Sequence, residues 1–281
     1  MKPVAAPAHR SETAGLVFLF AFTLVAVVGY GIFGLNPARL PAGGFSRRLY
    51  NVSFQLFAQA QILIALAILM IPMVRRCGWR LFVPLAAVYV LSFLSEHIGT
   101  GYGIPFGGYE YTGLLGARVG PRVPALIPVS WFLMAVPSWV MARATLGFRS
   151  RRSSRVLAGA AWLVAWDLAL DPAMSALTPY WRWAETGPYY GMPWMNLVGW
   201  YVTGVVLLGV LDGLADWARL DALPTRWMAG YYGAMVLMPV GMLAAAGAWL
   251  AVIVTIVAIA ALASVSILRS GAAPIRDSVV A

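Results

Sequence analysis

Apolar stretches of about 20 residues, the length that crosses ~30 Å of hydrocarbon as an α-helix, follow one another along almost the whole chain. Eight windows stand out, roughly 14–35, 51–74, 79–98, 123–146, 156–178, 196–218, 228–247 and 249–269. The last two are separated only by "AAAGAW", so seven spans is the alternative. In lipid a helix satisfies every backbone N–H and C=O within its own segment. The expected fold is therefore all-α: a polytopic integral membrane helical bundle with about eight transmembrane helices. It forms one domain over residues 1–281, with short tails at 1–13 and 270–281. Composition agrees, since 61% of the residues are hydrophobic and 11% charged, against about 25% charged in a soluble domain. A soluble chain this apolar could not cover its own surface.

The net charge of +10 would suit a nucleic-acid partner, but the charges are in the wrong places. All 20 basic residues fall in the tails or in and around the connections. With eight spans, fourteen of them lie on the side of the termini, including the run "RATLGFRSRRSSR" from Arg143 to Arg155. The excess of arginine then puts both termini in the cytoplasm, with that run lying against anionic lipid of the inner membrane. The first apolar run is too long for a signal-peptide core and has no convincing cleavage site, so it is read as a retained span.

Several chemistries fail on residue count. Cys77 is the single cysteine, beside Arg75 and Arg76 at a span end, so there is neither an internal disulfide nor a cysteine metal cluster. The two histidines, His9 and His97, are too few for a histidine-box iron site. The one lysine, Lys2, lies in the tail, whereas a retinal Schiff base needs one in mid-span. The segment "GTGYGIPFGGYEYTGLLG" (Gly99 to Gly116) lacks the lysine and the spacing of phosphate-binding loops. Its glycines suit non-helical backbone that turns back at membrane depth as a re-entrant or loop segment. No cofactor or metal is expected.

The stretch "WDLALDP" (Trp166 to Pro172) sets two aspartates inside an apolar span, where each costs about 2.5–3.5 kcal/mol on insertion scales. Asp167 and Asp171 are i and i+4 and share one helix face. By the same topology Glu96 and His97 close the third span on the non-cytoplasmic side, and Asn196 and Trp200 begin the sixth there. The connection "TPYWRWAETGPYYGMPWMN" (Thr178 to Asn196) brings Tyr180, Trp181, Trp183, Tyr189, Tyr190 and Trp194 with a single arginine. Some of these rings suit an interfacial belt; together they also suit a lid over an apolar ligand. Asp212 and Asp216, near Arg219 at the opposite end of span six, are as readily explained by pairing with arginine.

Two blocks carry a family resemblance. "GTGYGIPFGGYEYTGLLGARVGPRVPALIPVSWFLM" (Gly99 to Met134) and "WDLALDPAMSALTPYWRWAETGPYYGMPWMNLVGW" (Trp166 to Trp200) resemble the signatures of the CruF-type membrane carotenoid 1,2-hydratases. Together they cover about 70 residues. The resemblance implies hydration of the acyclic end of an acyclic or monocyclic carotenoid, leaving a tertiary alcohol at C1, with the bilayer and other carotenoid-pathway enzymes as surroundings. The family's catalytic residues are not carried over; only motif positions are matched.

The demands of that reaction can be set against the residues. Protonation at C2 gives a tertiary cation at C1, which water captures. The donor must hold a proton near neutral pH, and two buried carboxyls one turn apart hold one proton between them that neither would keep alone. Asp167 and Asp171 are therefore the candidate acid, and Glu96 the candidate for orienting water or taking up its proton. His97, Tyr109, Tyr111 and Asn196 are candidates for placing water and substrate. Trp131, Trp181, Trp183, Tyr189, Tyr190 and Trp200 offer electron-rich faces worth ~0.5–2 kcal/mol each to a cation. Three rivals stand beside this reading. An intramembrane prenyltransferase would use Asp167/Asp171 and Asp212/Asp216 as paired D-x-x-x-D motifs on magnesium, although the pairs would lie roughly 15 Å apart in depth at 1.5 Å rise per residue. A lycopene-cyclase-like isomerase would end the same cation chemistry in ring closure. A non-enzymatic carotenoid or lipid carrier would use the acids structurally.

Overall fold

The computed structural model describes residues 9–147, 150–214 and 224–271. Among them are eight α-helices: α1 (Arg10–Gly29), α2 (Gly44–Cys77), α3 (Phe82–Tyr102), α4 (Leu126–Leu146), α5 (Arg152–Asp171), α6 (Trp194–Leu214), α7 (Thr225–Ala245) and α8 (Trp249–Gly271). The protein is an all-α polytopic membrane bundle. Asp216, Arg219 and most of both tails lie outside the described residues.

Six helical runs are long and apolar enough to cross a bilayer, and one of them, Gly44–Tyr102, contains both α2 and α3. Its 59 residues would reach about 88 Å as one rod, nearly three membrane cores. A 3-10 turn at Gly78–Leu81, entered through Gly78 at φ 59°, folds it back instead. Gln59 of α2 and Glu96 of α3 consequently meet neighbouring residues of one connection, Leu114 and Tyr111. The weak boundary at "AAAGAW" is also a true turn. Gly247 adopts φ 75°, a left-handed conformation open to glycine. Ala248 N–H bonds the Leu243 carbonyl and Gly247 N–H that of Ala244, the paired bonds that stop a helix in a Schellman motif.

Helix α4 is the centre. Every residue from Trp131 to Val140 is buried, as expected of a helix apolar all round. Helices α3, α5, α7 and α8 pack on it. Outer helices α1, α2, α6 and α8 expose large apolar side chains, Val25 at 61% and Val257 at 60%, which in a bilayer face lipid tails.

One end of the bundle is rich in arginine and ionic. Arg76 of α2 pairs with Glu12 of α1 at 2.7 Å. Asp212 of α6 meets Arg152 at 3.0 Å and Arg155 at 3.5 Å, and accepts the Trp139 indole N–H at 2.7 Å. Pairing with arginine is thus what Asp212 does. Buried Glu12 is a finding the polar look of the N-terminal stretch concealed.

The opposite end carries the only four strands among the described residues, all short: β1 (Tyr109–Tyr111), β2 (Arg118–Val119), β3 (Val123–Pro124) and β4 (Trp181–Trp183). β2 pairs with β3, and β1 with β4, both antiparallel. The glycine-rich segment is therefore a loop with ribbon structure. Its Phe106 is wedged between α3 and α6, where a Cβ on Gly99 or Gly199 would stand 2.7 Å and 2.6 Å from the Phe106 ring.

Candidate active site

The β1–β4 ribbon brings the two sequence blocks together. Tyr109 lies opposite Trp183, Glu110 opposite Arg182 and Tyr111 opposite Trp181. Alternation along a strand turns Glu110 and Arg182 outward, where both are exposed, and sends the four rings toward the helices. Tyr109 packs on Trp183 with centroids 5.3 Å apart, and Tyr111 meets Trp181 edge-on at 6.1 Å.

The acids under the ribbon have two sets of donors, one on Glu96 and one on Asp167 with Asp171. Glu96 on α3, 4% exposed, accepts the Tyr109 and Tyr111 hydroxyls on Oε2, the latter at 2.7 Å, and the Trp131 indole N–H on Oε1 at 2.8 Å. Burial first, and then the Glu96 carboxylate, push both phenols well above their ordinary value near 10, so they stay protonated and donate. On α5, Asp171 Oδ1 accepts the Trp181 indole N–H at 2.8 Å, and its Oδ2 accepts the Asn196 amide N–H. The same amide donates to Asp167 Oδ2 at 3.2 Å. Asp167 is fully buried and its Oδ1 has no hydrogen-bond partner. The Asn196 amide is thus common to both carboxyls and holds them side by side on α5.

Prolines supply part of the positioning. Pro172 lacks the N–H that would bond the carbonyl four residues back, and a π-helical turn (Pro172–Leu177) follows. The freed carbonyl, that of Leu168, accepts the Tyr189 hydroxyl at 2.9 Å, which pins the lid connection onto the acid helix. Burial, and after it Tyr190 and the two aspartates, hold the Tyr189 phenol above its ordinary value. Pro239 in α7 likewise frees the Met235 carbonyl, and the Trp166 indole N–H takes it at 3.3 Å. Trp166 then meets Trp200 edge-on at 5.8 Å, and Trp200 stacks on Trp131 at 4.0 Å. Trp166 is part of this aromatic cluster although only its neighbour Asp167 stood out in the sequence.

Of the candidates, Glu96, Asp167, Asp171, Asn196, Tyr109, Tyr111, Trp131, Trp181 and Trp200 form two linked acid clusters. Trp183 joins through Tyr109, with its indole N–H buried and unpartnered. Tyr189 reaches them through the α5 backbone. His97 turns away to stack on Phe93 at 5.7 Å. Tyr190, held at φ 52°, packs on Tyr189 and accepts the Ala251 N–H at 3.4 Å, tying the lid to α8. Trp194 is 62% exposed, as a belt residue would be. Among the described residues, no three of His, Cys, Asp and Glu gather as a metal site.

Residues 57–262 match the carotenoid biosynthesis protein family. The chain belongs to that family. Both blocks and both acid clusters of this carotenoid biosynthesis protein fall inside the matched segment. It is also 31% identical over 173 residues to a bisanhydrobacterioruberin hydratase from Haloarcula japonica, an alignment covering 61% of this chain and 57% of the relative. The match thus spans a little over half of the relative's length. No solved structure matches.

Proposed function

We propose that this carotenoid biosynthesis protein is a carotenoid hydratase that adds water across the C1–C2 double bond of an acyclic end group, without a cofactor. The observation that carries the reading is the buried Asp167–Asp171 pair, bridged by Asn196, with one carboxyl oxygen left without a partner. Asp171 has both oxygens engaged, so Asp167, through Oδ1, is the proton donor. Its proton adds to C2, and the positive charge falls on tertiary C1. Water bonds to C1 through oxygen, and its surplus proton returns to the carboxyl pair, restoring the enzyme.

The tryptophans suit the cation. Trp166 meets Trp200 edge-on and Trp200 stacks on Trp131, so electron-rich faces cluster on the helices that carry Asp167 and Asn196. Desolvated contacts of this kind reach about 2 kcal/mol. Glu96 has both oxygens occupied by three donors, which fits a positioning role: it anchors the ribbon above the pair and orients Trp131. The hydratase name of the Haloarcula relative supports the reaction class. The concentration of arginine at the end remote from the site supports placing that end, and both termini, on the cytoplasmic side of the inner membrane.

The prenyltransferase reading loses its second metal motif, because Asp212 is committed to Arg152, Arg155 and Trp139. Twelve residues separate Arg155 from Asp167 on α5, about 18 Å of helix. Expression in a lycopene-producing host, with mass analysis of the pigments, tests the proposal. A gain of one water per modified end is expected. An isomer of unchanged mass, a prenylated acceptor or unchanged pigment would each contradict it.

A further inference from the structure

A cavity of about 510 Å³ lies between the end of α1 and the first half of α2, lined also by Tyr180 and by Met238 and Met242 of α7. It is within the ~300–1,000 Å³ usual for ligand pockets. No charged residue lines it. Three of its five hydroxyl residues are turned into backbone: Tyr180 bonds the Phe54 carbonyl at 2.8 Å, Ser53 that of Tyr50 at 2.7 Å and Tyr50 that of Gly34 at 3.4 Å. Tyr30 and Ser46 complete the polar part of the wall. The wall is therefore mostly apolar, and it carries no charge to hold an ionic headgroup. Phe45, Leu49 and Leu56 line it and are 79%, 49% and 55% exposed, so it opens sideways onto the lipid-facing surface.

The cavity also points inward. Met238 lines both it and a second cavity of about 80 Å³, whose walls include Leu115, Trp166 and Leu170. Trp166 touches Trp200, which stacks on Trp131, the indole donor to Glu96, so the second cavity abuts the aromatic cluster of the site. The geometry points to an extended acyclic isoprenoid chain entering from the bilayer between α1 and α2, with its body in the larger cavity and its leading end past Met238 at Trp166. The assignment of that leading end rests on the acid pair being the hydration site. Most of the larger cavity's wall, residues 25–56, precedes the segment matched to the family. The shared region therefore holds the acids, whereas this wall grips the chain.

A lipid acyl chain has the same chemistry, and pigment retention separates the two. Gly29 lines the cavity, and a Cβ there meets nothing within 4 Å, so Gly29→Phe is the substitution chosen to occupy the space. The full-length protein is purified from lycopene-producing cells in the Asp167→Asn background, which needs no turnover to hold substrate. Lycopene is read by absorbance and phospholipid by phosphorus, each per protein. Adding Gly29→Phe is expected to lower bound lycopene at least tenfold while phosphorus changes less than twofold. Leu49→Trp, on the opposite wall, should do the same if the first variant is poorly behaved. Lycopene held at the background level in both variants, or a loss of phosphorus instead of pigment, would overturn the assignment. If the single variant holds lycopene while the wild type forms no hydrated product, the hydration reading fails and the cavity assignment stands.

Discussion

Tyr111 and Trp181 face each other across the β1–β4 ribbon, yet each donates to a different acid: Tyr111 to Glu96 at 2.7 Å and Trp181 to Asp171 at 2.8 Å. One pair of neighbouring rings therefore ties the carboxylate of α3 to the carboxyl pair of α5. A three-residue ribbon could not persist alone in water. Here three of its four inward side chains, Tyr109, Tyr111 and Trp181, hydrogen-bond buried acids, and those bonds fix its register, since a slip of one residue would turn Glu110 and Arg182 inward.

The acid pair is the first point of test. Asp167→Asn and Asp171→Asn should each yield a folded, inserted protein whose hydration rate is at least about a hundredfold lower, the usual order for loss of a general acid. Rates per folded protein, with folding checked by thermal midpoint in detergent, measure this. Near wild-type rates in both variants would make the pair structural.

The phenols give a dependence on alkaline pH. Tyr109 and Tyr111 are raised above their unfolded value of 10 by burial and by Glu96. A group raised in the folded state contributes fully below its unfolded pKa and loses that contribution as pH climbs through the folded one. On their account stability should be level up to about pH 10 and fall above it. Tyr111→Phe should flatten part of that fall and lower the midpoint at pH 8, because a buried acceptor loses a donor worth about 1–3 kcal/mol. A Tyr111→Phe protein as stable as wild type at pH 8 would show that the bond contributes nothing.

Asp212 separates structural from chemical acids. Asp212→Asn should lower the thermal midpoint, because Arg155, only 18% exposed, keeps its charge with the Ser150 carbonyl but without its carboxylate. Hydration per folded protein should stay within about threefold of wild type, on the order of 0.6 kcal/mol in barrier, and should survive excess EDTA. Complete loss that Mg²⁺ restores would favour the prenyltransferase.

The spans were legible in the sequence because crossing hydrocarbon sets a length, and a helix must meet it locally. The acids were legible because charge in an apolar run is costly, and Asp167 with Asp171 carries that signature within five residues. Register between the blocks was not: Tyr111 and Trp181 are 70 positions apart, and three-residue strands are too short to show alternation. Glu12 looked like a tail residue because its partner, Arg76, lies 64 positions away. His97, beside Glu96 in sequence, faces another way because successive helix residues are turned by about 100°. Trp166 gave no sign of its contact, since that depends on a carbonyl freed by Pro239 in another helix.

The most direct measurement is the origin of the atoms added. The purified protein, assayed without O₂ in ¹⁸O-labelled water, should place the label on the tertiary alcohol at C1. In D₂O it should place one deuterium at C2, as delivery of a solvent-exchanged proton from Asp167 and capture by water require. Product that needs O₂, or that takes its oxygen from ¹⁸O₂, would contradict acid-initiated hydration and remove Asp167 from the role of proton donor.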